Sequence, residues 1–279
     1  MLKKIKNKYI IDNNMCRLFL SINTSNILEK IILFLSQSIH HEKYTPYINN
    51  HRDGTKHMDG FGIVWFESNK IKSKEFESNK IIKYYKSPLI YYKDTEFINL
   101  LTTISSNIIL GHIRQKTVSN ISCHNTHPFY YNNQVFMHNG GIKDFNKNKH
   151  ILLKYISKKY INLIKGNTDS ELLFYLFLTF YDDFNLLKKA MYTIFILFRS
   201  LNIELSANIM YANSNYILVT RYLIYNPNDY ITKQSPASLY INCSNGVIIS
   251  SEPIDKTNNW DLIKENTILL IDIKNSNII

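Results

Sequence analysis

The chain has 279 residues, 45% of them apolar, and a formal net charge of +11; this is material for a sizeable core, while the apolar run at residues 31–39 is far shorter than the roughly 20 residues that span a bilayer. The positive charge is mostly lysine, spread along the chain without a compact block after the first eight residues, which reads as a solvated basic surface and excludes a dedicated nucleic-acid site. Three cysteines at wide spacing (Cys16, Cys123, Cys243) make no secreted disulfide framework, and the opening residues lack the apolar stretch of a signal peptide, so a cytoplasmic, reducing location and no membrane attachment are expected.

In chain order, residues 18–22 form a short apolar run of strand length. Residues 27–39 have helical spacing after the cap signals Asn23, Thr24 and Ser25, and "GIVWF" at 62–66 is a second strand. Further strands fit residues 107–113 and 133–139. "TDSELLFYLFLTFY" after Gly166 reads as a helix capped by Thr168 or Asp169, and "FNLLKKAMYTIFILF" as the next helix. The remainder alternates short strands and turns: "ELSANIMYA", "YILVTR", "SLYINC", "GVIISS" and "TILLIDI". Strands at both ends and helices in the middle point to an α+β architecture, with two packed sheets and helices outside. No repeat and no Pro/Gly/Ser-rich linker divides the sequence, so one domain over residues 16–279 is expected, preceded by an extension or pro-segment at 1–15.

Four places carry residues suited to chemistry. "NNMCRLFL" sets Met15 before Cys16. A thiol attacks as a thiolate, and with a reference pKa of about 8.5 it needs a base. Loss of everything up to Met15 would supply one, because a free α-amine has a pKa of about 7.7–8.0. By itself Cys16 fits a small buried residue at a strand head equally well. "GHIRQKT" at 111–117 ends a strand in Arg114, suited either to a two-pronged carboxylate pair or to a surface ion pair. "FMHNGGI" at 136–142 runs a strand into Asn139, Gly140 and Gly141, either an oxyanion hole built from a side-chain amide and an approachable backbone N–H, or a plain Asn-Gly turn. In "GNTDSELL" at 166–173, Asp169 suits a substrate ammonium or a helix cap. The histidines at 40, 41, 51 and 57 match no metal-ligand spacing, and no metal or cofactor is expected.

Together "MCRLFL", "DGFGIVWF", "GHIRQKT", "THPF", "FMHNGGI" and "NTDSELL", in this order, resemble the class II glutamine amidotransferases of N-terminal-nucleophile (Ntn) type, nearest to the stand-alone branch beginning Met-Cys-Arg-Leu. "ISSEPI" at 249–254 and Trp260 are similar to that branch's C-terminal signature. The resemblance implies a four-layer αββα fold with Cys16 as nucleophile and its α-amine as base. It also implies Arg114 on the substrate's α-carboxylate with Thr117 nearby, Asp169 on its α-ammonium, Asn139 and Gly140 as the oxyanion hole, and His127 and Asp59 as structural support. The substrate would be glutamine or a γ-glutamyl compound, since relatives of this branch cleave γ-glutamyl groups from glutathione-like molecules. No synthase module follows, so any ammonia acceptor would lie on a partner subunit. Lys116 stands where many members have a small residue, and a retained extension would block the α-amine. The competing reading is a catalytically silent binding or regulatory subunit of the same fold.

Overall fold

The computed structural model describes residues 16–38, 58–68, 80–115, 121–225 and 236–279. The chain runs through β1 (Arg17–Ile22), α1 (Ile27–Ser36), β2 (Phe61–Ser68), β3 (Lys80–Ser87), α2 (Thr95–Leu101) and β4 (Ile108–Ile113). It continues with β5 (Phe129–Tyr131), β6 (Gln134–Ile142), α3 (Phe145–Leu152), α4 (Lys158–Ile161), α5 (Asp169–Phe184) and α6 (Leu187–Ser200). The final elements are β7 (Leu205–Ala212), β8 (Tyr216–Ile224), β9 (Tyr240–Asn242), β10 (Val247–Ser250), β11 (Asp261–Leu262) and β12 (Thr267–Asp272).

The strands form two sheets, one in the order β11-β9-β10-β1-β4-β2-β3 and the other β12-β8-β7-β6-β5, with every pairing antiparallel. Side chains alternate between the two faces of a strand, and this sorts the core into three bands. Leu18, Leu20, Val64, Leu110, Val135, Met137, Met210 and Val219 meet between the sheets. Phe19, Ile63 and Ile109 point the other way, against Phe34 of α1 and Phe97 of α2. On the far side Phe136, Ile209 and Leu218 pack under Phe174 and Phe177 of α5 and Phe195 of α6. The result is the expected α+β four-layer αββα sandwich of the Ntn-hydrolase type.

Two local features hold the layers close to the site strands. Residue 111 is glycine because an added Cβ would lie 2.5 Å from Phe34 Cε1; the gap admits Phe34, which stacks on Phe19 with ring centroids 5.0 Å apart. At the start of α5, Thr168 Oγ1 accepts the N–H of Glu171 at 3.2 Å, and the Glu171 carboxylate, itself buried, accepts the N–H groups of Lys165 (2.9 Å) and Gly166 (2.7 Å). The cap is therefore Thr168, and Asp169 is released from that duty.

Some boundaries differ from the sequence-based expectation. α1 stops at Ser36, and its N-cap is Asn26 in the left-handed region (φ 54°) with no side-chain cap bond, in place of residues 23–25; Thr24 bonds Ser21 instead, Oγ to Oγ1 at 2.6 Å. β6 continues to Ile142, so the Asn-Gly pair makes no turn. The sequence does not signal β3, β5, α2, α3, α4 and β11.

Candidate functional site

The alternation that builds the core also aims the site residues. On β1, Leu18, Leu20 and Ile22 face the space between the sheets, and Cys16, two residues before Leu18, continues that series. On β4, Ile108 and Leu110 face the same space; His112 and Arg114 continue it. On β6, Val135 and Met137 do so, followed by Asn139. Pairing of Arg17 with Ile113 sets Cys16 beside Arg114 and Gln115. Three segments distant in sequence thus deliver a thiol, a guanidinium and an amide to one end of the inter-sheet space.

The half-buried Cys16 thiol lies against Gln115: the Gln115 N–H points at Sγ (3.4 Å), and the S–H is 3.7 Å from the Gln115 carbonyl oxygen. Burial pushes the thiol pKa up; the Gln115 N–H and the positive charges of Arg114 and Arg17 pull it down, and the negative charge of Asp169 adds to the rise. The net direction is upward, so this sulfur needs a base beside it to attack at neutral pH. The charges of Arg114 and Asp169 both act on Cys16, so a cation and an anion lie in the neighbourhood of this thiol.

Each of these charges is held by backbone. Arg114 Nη1 donates to the Asp59 carbonyl at 3.3 Å, and the two backbones are joined by Arg114 N–H to Gly60 O (2.8 Å) and Asp59 N–H to Arg114 O (3.3 Å). Asp59 therefore supports Arg114 through its main chain. Asp169 Oδ2 accepts the N–H of Ile142 at 2.9 Å, which ties the first turn of α5 to the end of β6.

Asn139 and Gly140 lie in β6, opposite Asn208 and Ala207 of β7. Asn139 is 1% exposed, and its side-chain carbonyl oxygen has no hydrogen-bond partner among the described residues. A buried polar group that the fold leaves unsatisfied asks for an explanation; this oxygen accepts hydrogen bonds, and the side-chain NH2 is the group able to donate to a ligand. Gly140 has φ 155°, and a Cβ there would meet the Ser206 carbonyl oxygen at 2.0 Å; only glycine fits this strand position.

Of the three imidazoles beneath these residues, sequence reasoning named His127 and missed His112 and His138. His112, His127 and His138 are all buried, and His112 and His127 stack with centroids 3.9 Å apart. His112 Nε2 donates across the inter-sheet space to the His138 carbonyl oxygen at 3.3 Å, which fixes β4 against the residue preceding Asn139. His138 Nε2 donates to Ser206 O at 2.9 Å, and Ser170 Oγ lies 2.9 Å from His138 Nδ1 and 3.3 Å from Asp169 Oδ1. Burial lowers all three pKa values, His112 to about 3 and His127 well below its ordinary value, which favours the neutral imidazoles. The "FMHN" block contained the signal for His138, but its partners come from other strands. His127 lies in this cluster between the rings of His112 and Phe129. Thr117 and the histidines at 40, 41, 51 and 57 lie outside the described residues. No disulfide joins the three cysteines, and among the described residues no helix is long and apolar enough to cross a membrane.

Comparison with known proteins agrees with this geometry. The family model for class-II glutamine amidotransferases matches residues 43–239. The chain is 30% identical over 165 residues to the probable glutamine amidotransferase DUG3 of Saccharomyces cerevisiae, covering 59% of this chain and 45% of that protein. It is 33% identical over 122 residues to a putative glutamine amidotransferase of Haemophilus influenzae, covering 42% of this chain and 35% of that one; the matches span less than half the length of either relative. Among solved structures, a glutamine aminotransferase class-II domain protein from Silicibacter pomeroyi has a TM-score of 0.58 at 21% identity, covering 92% of this chain and 94% of that one. Glutamine phosphoribosylpyrophosphate amidotransferase from B. subtilis scores 0.56 at 16% identity, covering 92% and 47%. With the family model matching well over half its length, the chain belongs to the class-II glutamine amidotransferases.

Proposed function

We propose that this protein is a hydrolase that cleaves the γ-amide of glutamine or of a γ-glutamyl compound, through a thioester on Cys16 as the N-terminal residue. The observation that carries the reading is geometric: pairing of β1 with β4 sets the Arg114 guanidinium beside the Cys16 thiol, and Asp169 is tied to the end of β6, the strand that carries Asn139 and Gly140. An α-amino acid is a zwitterion, and such a site matches its carboxylate with the guanidinium and its ammonium with Asp169.

In this reading residues 1–15 are absent from the working enzyme and the freed α-amine of Cys16 takes the thiol proton, answering the upward push of burial on that thiol. The thiolate attacks the γ-carbonyl, and the oxyanion is held by the Asn139 side-chain amide and the Gly140 N–H. The α-ammonium of Cys16 returns its proton to the departing ammonia or amine, and water then hydrolyses the thioester. Thr117 completes the carboxylate subsite. The chemistry is complete without cofactor or metal, the setting is cytoplasmic, and any ammonia acceptor belongs to a partner subunit.

The test compares release of ammonia from glutamine and of cysteinyl product from γ-glutamylcysteine by purified protein beginning at Cys16. Turnover of one or both, lost in Cys16→Ala, is expected. No turnover of either overturns the hydrolase reading and favours a silent subunit.

A further inference from the structure

Beside the nucleophile lies a buried ion pair that the mechanism above does not use. The segment after β10 turns back over the start of β1: Leu18 N–H donates to Ser251 Oγ and Ser251 N–H to the Leu18 carbonyl, both at 2.9 Å. The next residue, Glu252, accepts from Ser238 Oγ at 2.9 Å and faces Arg17 Nη2 at 4.0 Å; the Arg17 and Glu252 side chains are 4% and 3% exposed. Gln37, just past α1, donates Nε2 to the Glu252 carbonyl at 3.2 Å and so closes the segment from the helical side. Arg17 Nη1 in turn donates to the Cys16 carbonyl oxygen at 3.4 Å.

Alternation puts Arg17 on the α1 side of the sheet while Cys16 faces the inter-sheet space. The pair therefore works from behind the nucleophile and touches no substrate. Taking two charges out of water costs several kcal/mol per ion, and apolar replacements of similar volume are often as stable or more so. A buried pair that reaches the carbonyl of Cys16 has a task beside stability.

We propose that Arg17 and Glu252 are positioning residues for Cys16: Glu252, oriented by Ser238, aims the Arg17 guanidinium at the Cys16 carbonyl and thereby fixes the direction of the Cα–Cβ and Cα–N bonds that carry thiol and amine. This rests on Cys16 being the nucleophile as proposed above. The charged groups acting on Cys16 are then Arg114, Asp169 and Arg17, the last balanced by Glu252.

The experiment uses purified protein beginning at Cys16, as wild type, Glu252→Gln and the double variant Arg17→Met/Glu252→Met, which leaves no unpaired buried charge. Three quantities are read: thermal midpoint, kcat and KM for the better glutamyl substrate, and the pH profile of Cys16 alkylation by iodoacetamide. A misaimed nucleophile loses rate and keeps binding, so the double variant is expected to hold its thermal midpoint and a KM within about twofold while kcat falls by about tenfold or more. In Glu252→Gln the loss of the negative charge facing Arg17 is expected to move the alkylation profile to lower pH. A double variant with wild-type kcat, or a Glu252→Gln profile superimposable on wild type, overturns the inference. If the wild type turns over no glutamyl compound, the proposed function falls, and the alkylation profile alone decides this inference by the same criterion.

Discussion

Replacing Asn139 by alanine is expected to separate turnover from stability. The side chain is buried, and its carbonyl oxygen has no partner among the described residues, so truncation strands none of them. Removing an unsatisfied buried polar group lifts a desolvation penalty as well as a small packing contribution, and the net effect on folding is within about 1 kcal/mol. In the transition state the same amide would face a developing oxyanion, where loss of one donor costs about 3 kcal/mol. At 1.36 kcal/mol per decade this is roughly a 150-fold fall in kcat. The assay is initial-rate ammonia release over a range of glutamine concentrations, with thermal unfolding of the same preparation. The expected result is a kcat lower by about two decades, a KM changed by less than about threefold and an unfolding midpoint within a few degrees of wild type. A variant with near-normal kcat, or one whose lost activity follows its unfolded fraction, would refute the oxyanion role.

Other perturbations read other parts of the site. Arg114→Lys keeps the charge and loses the fork, so KM is expected to rise by about tenfold or more with kcat little changed; unchanged substrate affinity counts against the carboxylate assignment. Thr168→Ala removes the α5 cap and is expected to cost about 1 kcal/mol, measured as a lower urea midpoint, together with a higher KM because Asp169 stands on the same turn; a normal KM would detach Asp169 from the ammonium. For pH, the buried imidazoles bind protons less readily folded than unfolded, His112 titrating at about 3 in the fold against about 6.5 in the open chain. The unfolded state therefore takes up more protons as pH falls below about 6.5, and the stability present above that value drains away toward about 3. Urea midpoints are expected to hold from pH 7.5 to about 6.5 and to decline from there to pH 5; a flat profile would show that the histidines are charged or exposed.

What the sequence displayed was what strand alternation and local chemistry display. β1, β2, β4, β7, β8 and β12 are apolar runs between turn formers, and α5 announces itself with a cap and a long apolar body. β3 was missed because "KIIKYYKS" is a largely solvent-facing edge strand, and α2 and α4 because seven and four residues give periodicity little room. The Asn-Gly pair at 139–140 reads locally as a turn or an oxyanion hole; the strand continues because Gly140 pairs with Ala207 and the Ser206 carbonyl fills the place of its side chain. The Cys16, Arg114 and Asn139 motifs were visible because each has a local signature. The histidine cluster and the Arg17–Glu252 pair were not, since residues 112, 127 and 138, or 17 and 252, meet only through sheet registers and packing across the layers.

The central claim is that Cys16 is an N-terminal nucleophile, and intact mass with N-terminal sequencing of the protein from its native source, before and after treatment with a diazo-ketone analogue of glutamine, tests it most directly. The account predicts a chain beginning at Cys16 that gains one adduct on that residue. A chain that retains Met1 and still hydrolyses glutamine, or an adduct on Cys123 or Cys243 in place of Cys16, would contradict it.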